Sequence, residues 1–219
     1  ITIERSGTGM QHVGNNNLVT VSGSITTKGS SGNGIFTAGN KNTTSLSGSI
    51  VTTGNTAMGI SHIGEGNKAT VSGSISTSGT NAFGIYHFSG DNTAIVSGTV
   101  KTTGLSAPAF FNGSGSGNSF TLNEGATIIG DILATDTATN SKLVFNLAGS
   151  SSYAYSVSGK GEGTGTGQWT FSDLDGRTAK VTTGGTGCDT TVTGANNTVC
   201  NFVTAVGSGN AMEHNELQL

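Results

Sequence analysis

Val21-Ser22-Gly23-Ser24-Ile25 recurs as Leu46-Ser47-Gly48-Ser49-Ile50, as Val71-Ser72-Gly73-Ser74-Ile75 and as Val96-Ser97-Gly98-Thr99-Val100, each copy 25 residues after the last. Other columns keep the same step: Asn17, Asn42, Asn67 and Asn92, and also Gly29, Gly54, Gly79 and Gly104. Gly9, Gly34, Gly59 and Gly84 form a third, followed directly by Met10, Ile35, Ile60 and Ile85. A fixed period of this length without insertions marks stacked units, each of which covers the apolar face of the next. The unit reads as strand. Val21, Gly23 and Ile25 alternate with Ser22 and Ser24, the period of two expected when one face is buried. Gly and Asn between the runs suit turns, since both tolerate positive φ. Helical repeats would need Ala, Leu, Glu and Lys at 3.6 spacing, yet charged residues are only 10% of the chain, and the L-x-x-L-x-L of leucine-rich repeats never occurs. What remains is an all-β parallel β-helix, a β-solenoid of about 25 residues and two or three short strands per coil. At ~4.8 Å per rung, the full chain predicts roughly nine coils and a rod of about 40 Å.

Composition agrees with order. Gly supplies 37 of 219 residues and Pro108 is the single proline, a mixture that in a random arrangement would leave a disordered tract. Here the apolar 32% falls in register, which a disordered tract lacks. Nine Lys and Arg, spread without clustering in a chain of net charge −3, give no basic stripe for nucleic acid. No apolar run approaches the ~20 residues that span a bilayer. Ile1 and its neighbours read as strand and not as a signal peptide, so the chain is expected to be a processed or excised piece of an exported protein.

The unit G-x-x-x-x-x-G-I-x-x-x-G-x-x-N-x-x-x-V-S-G-S-I-x-T resembles the passenger repeats of bacterial autotransporter adhesins. Gly79 to Tyr86 and Asn92 to Val100 are the clearest matches. The likeness covers residues 1 to about 125 as repeats. It continues less regularly in Gly125 to Ile132 and in Gly167-Gln168-Trp169-Thr170-Phe171. The resemblance implies a right-handed β-helix carried to the bacterial surface through an outer-membrane barrel that this chain does not include. It also implies that a close cysteine pair is tolerated during export.

Three parts are expected: regular coils over 1–125, irregular coils or a cap over 126–209, and a tail over 210–219 read as a linker piece or a short helix capped by Asn210. Gly159 to Gly167 reads as a flexible loop. Cys188 and Cys200 are the only cysteines, either side of a turn-forming Gly194-Ala195-Asn196-Asn197. A disulfide closing that loop is the favoured reading and points to an oxidising route such as the periplasm. A metal or redox pair is the alternative, although C-x-x-C spacing and a companion His are missing.

Few motifs carry chemistry. G-x-S-x-G and G-D-S-G are absent, and Gly113 to Gly117 is out of phase for a nucleophile elbow. Gly159-x-Gly161-x-Gly163 lacks the G-K-[ST] ending of a phosphate loop. Calcium-binding nonapeptide turns need Asp where these turns hold Asn or Lys. No cofactor is expected. His12, His62 and His87 share a column interrupted by Thr37, and are read as a ring stack at a turn, with a shared metal or coupled protonation as the alternative. The column of Asn17, Asn42, Asn67 and Asn92 reads as a structural amide ladder in preference to a glycan site.

Two lanes of short hydroxyl side chains are not required by the core. Ser22, Ser47, Ser72 and Ser97 should align beside Ser24, Ser49, Ser74 and Thr99 on one flat outward face. Such a face suits a plain soluble coat, self-association between cells, attachment to a host glycan or matrix protein, or, last, ice binding. The function expected is a non-enzymatic surface adhesin passenger promoting bacterial aggregation, attachment and biofilm, at the cell surface or secreted. The alternatives are a structural stalk and a β-helical glycan-degrading enzyme. That enzyme would draw its carboxylates from Asp131, Asp136, Asp173 and Asp175.

Overall fold

Each regular unit contains three short alternating segments separated by turns, and each segment becomes one strand. The computed structural model describes residues 1–123, 125–135 and 137–146 and the strands of residues 151–159, 169–173, 198–205 and 212–215; from residue 145 onward it describes backbone alone. The first coil holds β1 (Thr2–Ile3), β2 (Met10–Val13) and β3 (Leu18–Val21), and the second β4 (Ser24–Thr27), β5 (Ile35–Ala38) and β6 (Thr43–Leu46). The third holds β7 (Ser49–Thr52), β8 (Ile60–Ile63) and β9 (Lys68–Val71), and the fourth β10 (Ser74–Thr77), β11 (Ile85–His87) and β12 (Thr93–Val96). In the fifth, β13 (Thr99–Thr102), β14 (Phe110–Asn112) and β16 (Ser119–Asn123) are joined by the small β15 (Gly115–Ser116). The sixth has β17 (Thr127–Ile129), β18 (Asp131–Ala134), β19 (Ala138–Thr139) and β20 (Ser141–Asn146). Beyond it come β21 (Ser151–Gly159), β22 (Trp169–Asp173), β23 (Thr198–Ala205) and β24 (Met212–Asn215).

Strands stack on their counterparts one coil away to build three main sheets. Sheet A runs β1-β4-β7-β10-β13-β17, sheet C runs β3-β6-β9-β12-β16-β20-β22, and sheet B starts β2-β5-β8-β11-β14-β18-β21. All of these pairings are parallel, and Ile25, Ile50, Ile75 and Val100 stand in one register line. The fold is the expected β-solenoid. Among the described residues sheet A has six rungs, where roughly nine coils were expected of the full chain. The period fails because Gly130 alone separates β17 from β18, so Val100 pairs with Ile128 while Phe110 pairs with Ile132. Gly130 sits at φ +121°, a conformation that side chains other than glycine's rarely adopt. Beyond β21, sheet B changes direction: β23 lies antiparallel to β21, and β24 antiparallel to β23. The tail therefore contributes a strand where a helix or linker was expected. The free edge of β23 offers Met212–Asn215 hydrogen bonds that an isolated short segment lacks.

The interior is built from six inward columns, two per sheet. Val21, Leu46, Val71 and Val96 form one, and Ile25, Ile50, Ile75 and Val100 another, all buried. Ile35, Ile60, Ile85, Phe110 and Ile132 line sheet B, facing Ala69, Ala94, Phe120 and Leu143 of sheet C in the same core. The remaining two columns are polar. Thr27, Thr52 and Thr77 turn inward, and each hydroxyl donates to the carbonyl five residues on, at Gly32, Ala57 and Ala82. This closes the turns after β4, β7 and β10 from within and satisfies a buried carbonyl in each.

The Val-Ser-Gly-Ser-Ile motif is not one strand, as its alternation suggested, but two strand ends and the corner between sheets C and A. Val21 closes β3 and Ser24 opens β4. At the corner one carbonyl serves two donors: Leu46 O accepts from Ser72 N at 2.9 Å and from Gly73 N at 3.1 Å. Val21 O and Val71 O do the same one coil before and after. Gly23, Gly48, Gly73 and Gly98 are consequently not inward residues. Their place follows from close approach, because a Cβ on Gly73 would fall onto the Gly48 carbonyl oxygen and one on Gly98 onto that of Gly73.

Candidate interaction faces and internal polar columns

Ser22, Ser47, Ser72 and Ser97 lie on the corner and are exposed. Ser24 is exposed, while Ser49, Ser74 and Thr99 are half-buried as the first residues of their sheet A strands. The two lanes therefore meet at an edge and do not form the single flat face expected of one continuous strand. Ser24 and Ser49 are linked along their lane by a 3.0 Å hydroxyl hydrogen bond. The flat part of sheet A pairs Ser24, Ser49, Ser74 and Thr99 with a lane missed from the sequence: Thr26, Val51, Ser76 and Lys101. Alternation about Ile25 was the signal available, since both its neighbours must point outward.

Sheet B has a different exterior. Phe83, Tyr86, Phe88 and Phe111 touch one another, with Phe83 and Phe111 at 4.4 Å between ring centroids and Tyr86 stacked on Phe111 at 5.5 Å. Phe88 is 47% exposed. Because Tyr86 and Phe111 turn their faces toward each other, the cluster joins two coils laterally more than it offers an open ring face to a ligand. No sequence column marked it, because Phe36, Ser61, Tyr86 and Phe111 share a position without sharing a residue type.

Inside, the asparagine column is a directional ladder. Asn42 Oδ1 accepts the Asn17 N–H at 2.8 Å, Asn67 Oδ1 that of Asn42 at 2.9 Å, and Asn92 Oδ1 that of Asn67 at 2.8 Å. Asn118 continues it, accepting the Asn92 N–H at 2.8 Å after a one-residue insertion that hid it from a strict period. Asn67→Ala should cost about 1–3 kcal/mol, because the buried Asn42 N–H loses its acceptor. Asn17→Ala at the outer end removes only a side-chain donor and should cost roughly 1 kcal/mol or less. Equal losses in urea unfolding would contradict the ladder's direction.

The histidines sit on strands, not at a turn. His12, Thr37, His62, His87 and Asn112 stand in register on β2, β5, β8, β11 and β14. His62 and His87 are fully buried and stack with centroids 5.3 Å apart and planes 4° from parallel. His87 also stacks on Phe120 at 4.8 Å. Face-to-face rings direct their in-plane nitrogen lone pairs past each other, so the pair is not arranged to share a metal. Among the described residues no group of three or more His, Cys, Asp and Glu is placed to hold one. Burial depresses the His62 pKa to about 4, aided by His12, and holds His87 well below the ordinary value.

The chain matches no family model, no curated protein and no solved structure. Among the described residues, no helix is long and apolar enough to cross a membrane. Asp131 and Asp173 lie at strand ends without a described side chain, and Asp136 and Asp175 fall outside the described residues. The proposed Cys188–Cys200 pairing and the loop over Gly159–Gly167 also lie outside the described residues, apart from the backbone of Gly159 and of Cys200 in β23.

Proposed function

We propose that this chain is a non-enzymatic, surface-displayed β-solenoid that acts like the passenger of a bacterial autotransporter adhesin. It associates side-on with copies of itself, or with a host glycan or matrix protein, at the cell surface or after release. The observation that carries this reading is the repetition of small uncharged hydroxyls, coil after coil, at the corner (Ser22, Ser47, Ser72, Ser97) and at the strand starts beside it (Ser24, Ser49, Ser74, Thr99). Hydrogen bonds of about 0.5–1.5 kcal/mol each accumulate when identical donors and acceptors recur every ~4.8 Å. A net charge of −3 limits repulsion between copies.

The test is a quadruple substitution of Ser22, Ser47, Ser72 and Ser97 by Lys, all at exposed corner positions. Beads coated with the wild-type chain should clump or bind matrix-coated plates, and the variant at equal density should do so several-fold less. Equal clumping and equal attachment by a folded variant would remove this face and favour a stalk that presents another domain.

A further inference from the structure

We propose that the buried His62–His87 stack is an acid-triggered latch: neutral, it closes the third and fourth coils, and protonated, it opens β8 and β11 to water. Both imidazoles are fully buried, and none of their four ring nitrogens has a hydrogen-bond partner among the described residues. A neutral ring tolerates that position because its faces are packed, His62 against His87 and His87 against Phe120. A cation there would be buried without an acceptor for either N–H and would repel its stacked neighbour.

Among the described residues the surroundings supply no counter-charge. The inward residues that sheets C and A contribute to these coils are aliphatic, aromatic or threonine, among them Ala69, Ala94, Val96, Thr52 and Thr77. Along the histidines' own column stand His12, Thr37 and Asn112. The titratable group facing the pair is thus His12, which is itself a base. Lys28, Lys41, Glu65, Lys68, Asp91 and Lys101 are all exposed. The small Ala69 and Ala94 lie in the same coils as His62 and His87, which leaves room for the rings on the opposite wall.

His12, at the head of the same column, is also held below its ordinary pKa by burial and adds to the acid response. Lys28 and Glu4 form an ion pair at 2.9 Å, but both side chains are largely in water. The sign follows from linkage. Each histidine binds a proton in the unfolded chain near pH 6.5 and in the folded chain only much lower, at about 4 for His62. Stability is therefore complete above the unfolded value and falls as the pH drops toward the folded one. Across that window each histidine multiplies the unfolding constant by about tenfold per pH unit.

The experiment is urea unfolding of the whole chain from about pH 7 to about pH 4.5, for wild type and for the double variant His62→Phe, His87→Phe. Phenylalanine keeps a stacked ring and cannot titrate. The wild-type unfolding constant should rise by at least a hundredfold over that range, and the variant's by less than about tenfold. Amide exchange, corrected for its intrinsic pH dependence, should speed up first over Ile60–Ile63 and Ile85–His87 in the wild type. A flat wild-type profile, or a variant with the wild-type slope, would overturn the proposal. If the double variant does not fold, the imidazole carbon-bound protons of the wild type decide the matter by NMR. His62 and His87 should not titrate in the folded chain above about pH 5, and titration near 6.5 would overturn the latch.

Discussion

Ile75→Ala is expected to lower the unfolding free energy by about 2–5 kcal/mol. Ile75 is fully buried, between Ile50 on one side and Val100 on the other, each held in register by its own strand. Collapse around the missing atoms would require a coil to move along the rod axis, and that would stretch parallel ladders in all three main sheets. The cavity therefore stays largely open, which places the cost in the upper part of that range. Val51→Ala on the adjacent coil points outward at 37% exposure and should cost roughly 0.5 kcal/mol or less. The pair is read by urea unfolding with the slope held constant. A loss below about 1 kcal/mol at Ile75 would mean that the coils close up more readily than their ladders suggest.

Gly73→Ala should be nearly as damaging, about 3 kcal/mol, although it removes nothing. The added methyl would be driven into the Gly48 carbonyl, and backbone cannot rotate away as a flexible side chain can. Gly73 does not have positive φ, so the loss measures close approach and not lost conformational freedom. Gly23→Ala separates the two explanations, because a Cβ at Gly23 meets nothing within 4 Å. That variant should leave stability within about 0.5 kcal/mol of wild type. Similar losses at both positions would show that glycine is kept at the corner for its backbone flexibility, contrary to the geometry.

The period of 25 made the solenoid legible, together with the two apolar stacks that begin at Val21 and Ile25. Those features repeat by identity, and identity is what a reader of one chain can align. The corner was not legible. Val-Ser-Gly-Ser-Ile alternates like a strand, and only the double use of the Leu46 carbonyl reveals that Gly73 turns the chain. The inward threonines recurred plainly, but their partners are carbonyls five residues on, and backbone acceptors leave no mark in a sequence. The histidine column was visible while its depth was not, since a turn and a strand interior accept the same spacing. The aromatic exterior of sheet B escaped because its members come from three columns. Each column alone looks like ordinary variation at an outward site.

Between β3 and β13 the backbone of the rod and its corner serines look alike after a shift of one whole coil. Two rods laid side by side would consequently have several equivalent alignments, separated by steps of ~4.8 Å. Where the corner serines make the contact, sliding one past the other by a single step forfeits only the contacts at the ends. Such a pair would be defined in orientation and loosely defined in overlap, and staggered overlap leaves lane uncovered for a third copy. Growth of that kind needs no closed symmetry and no fixed number of members. The altered spacing from β17 onward ends the equivalence at one extremity, so the number of available offsets is set by how many regular coils the rod contains.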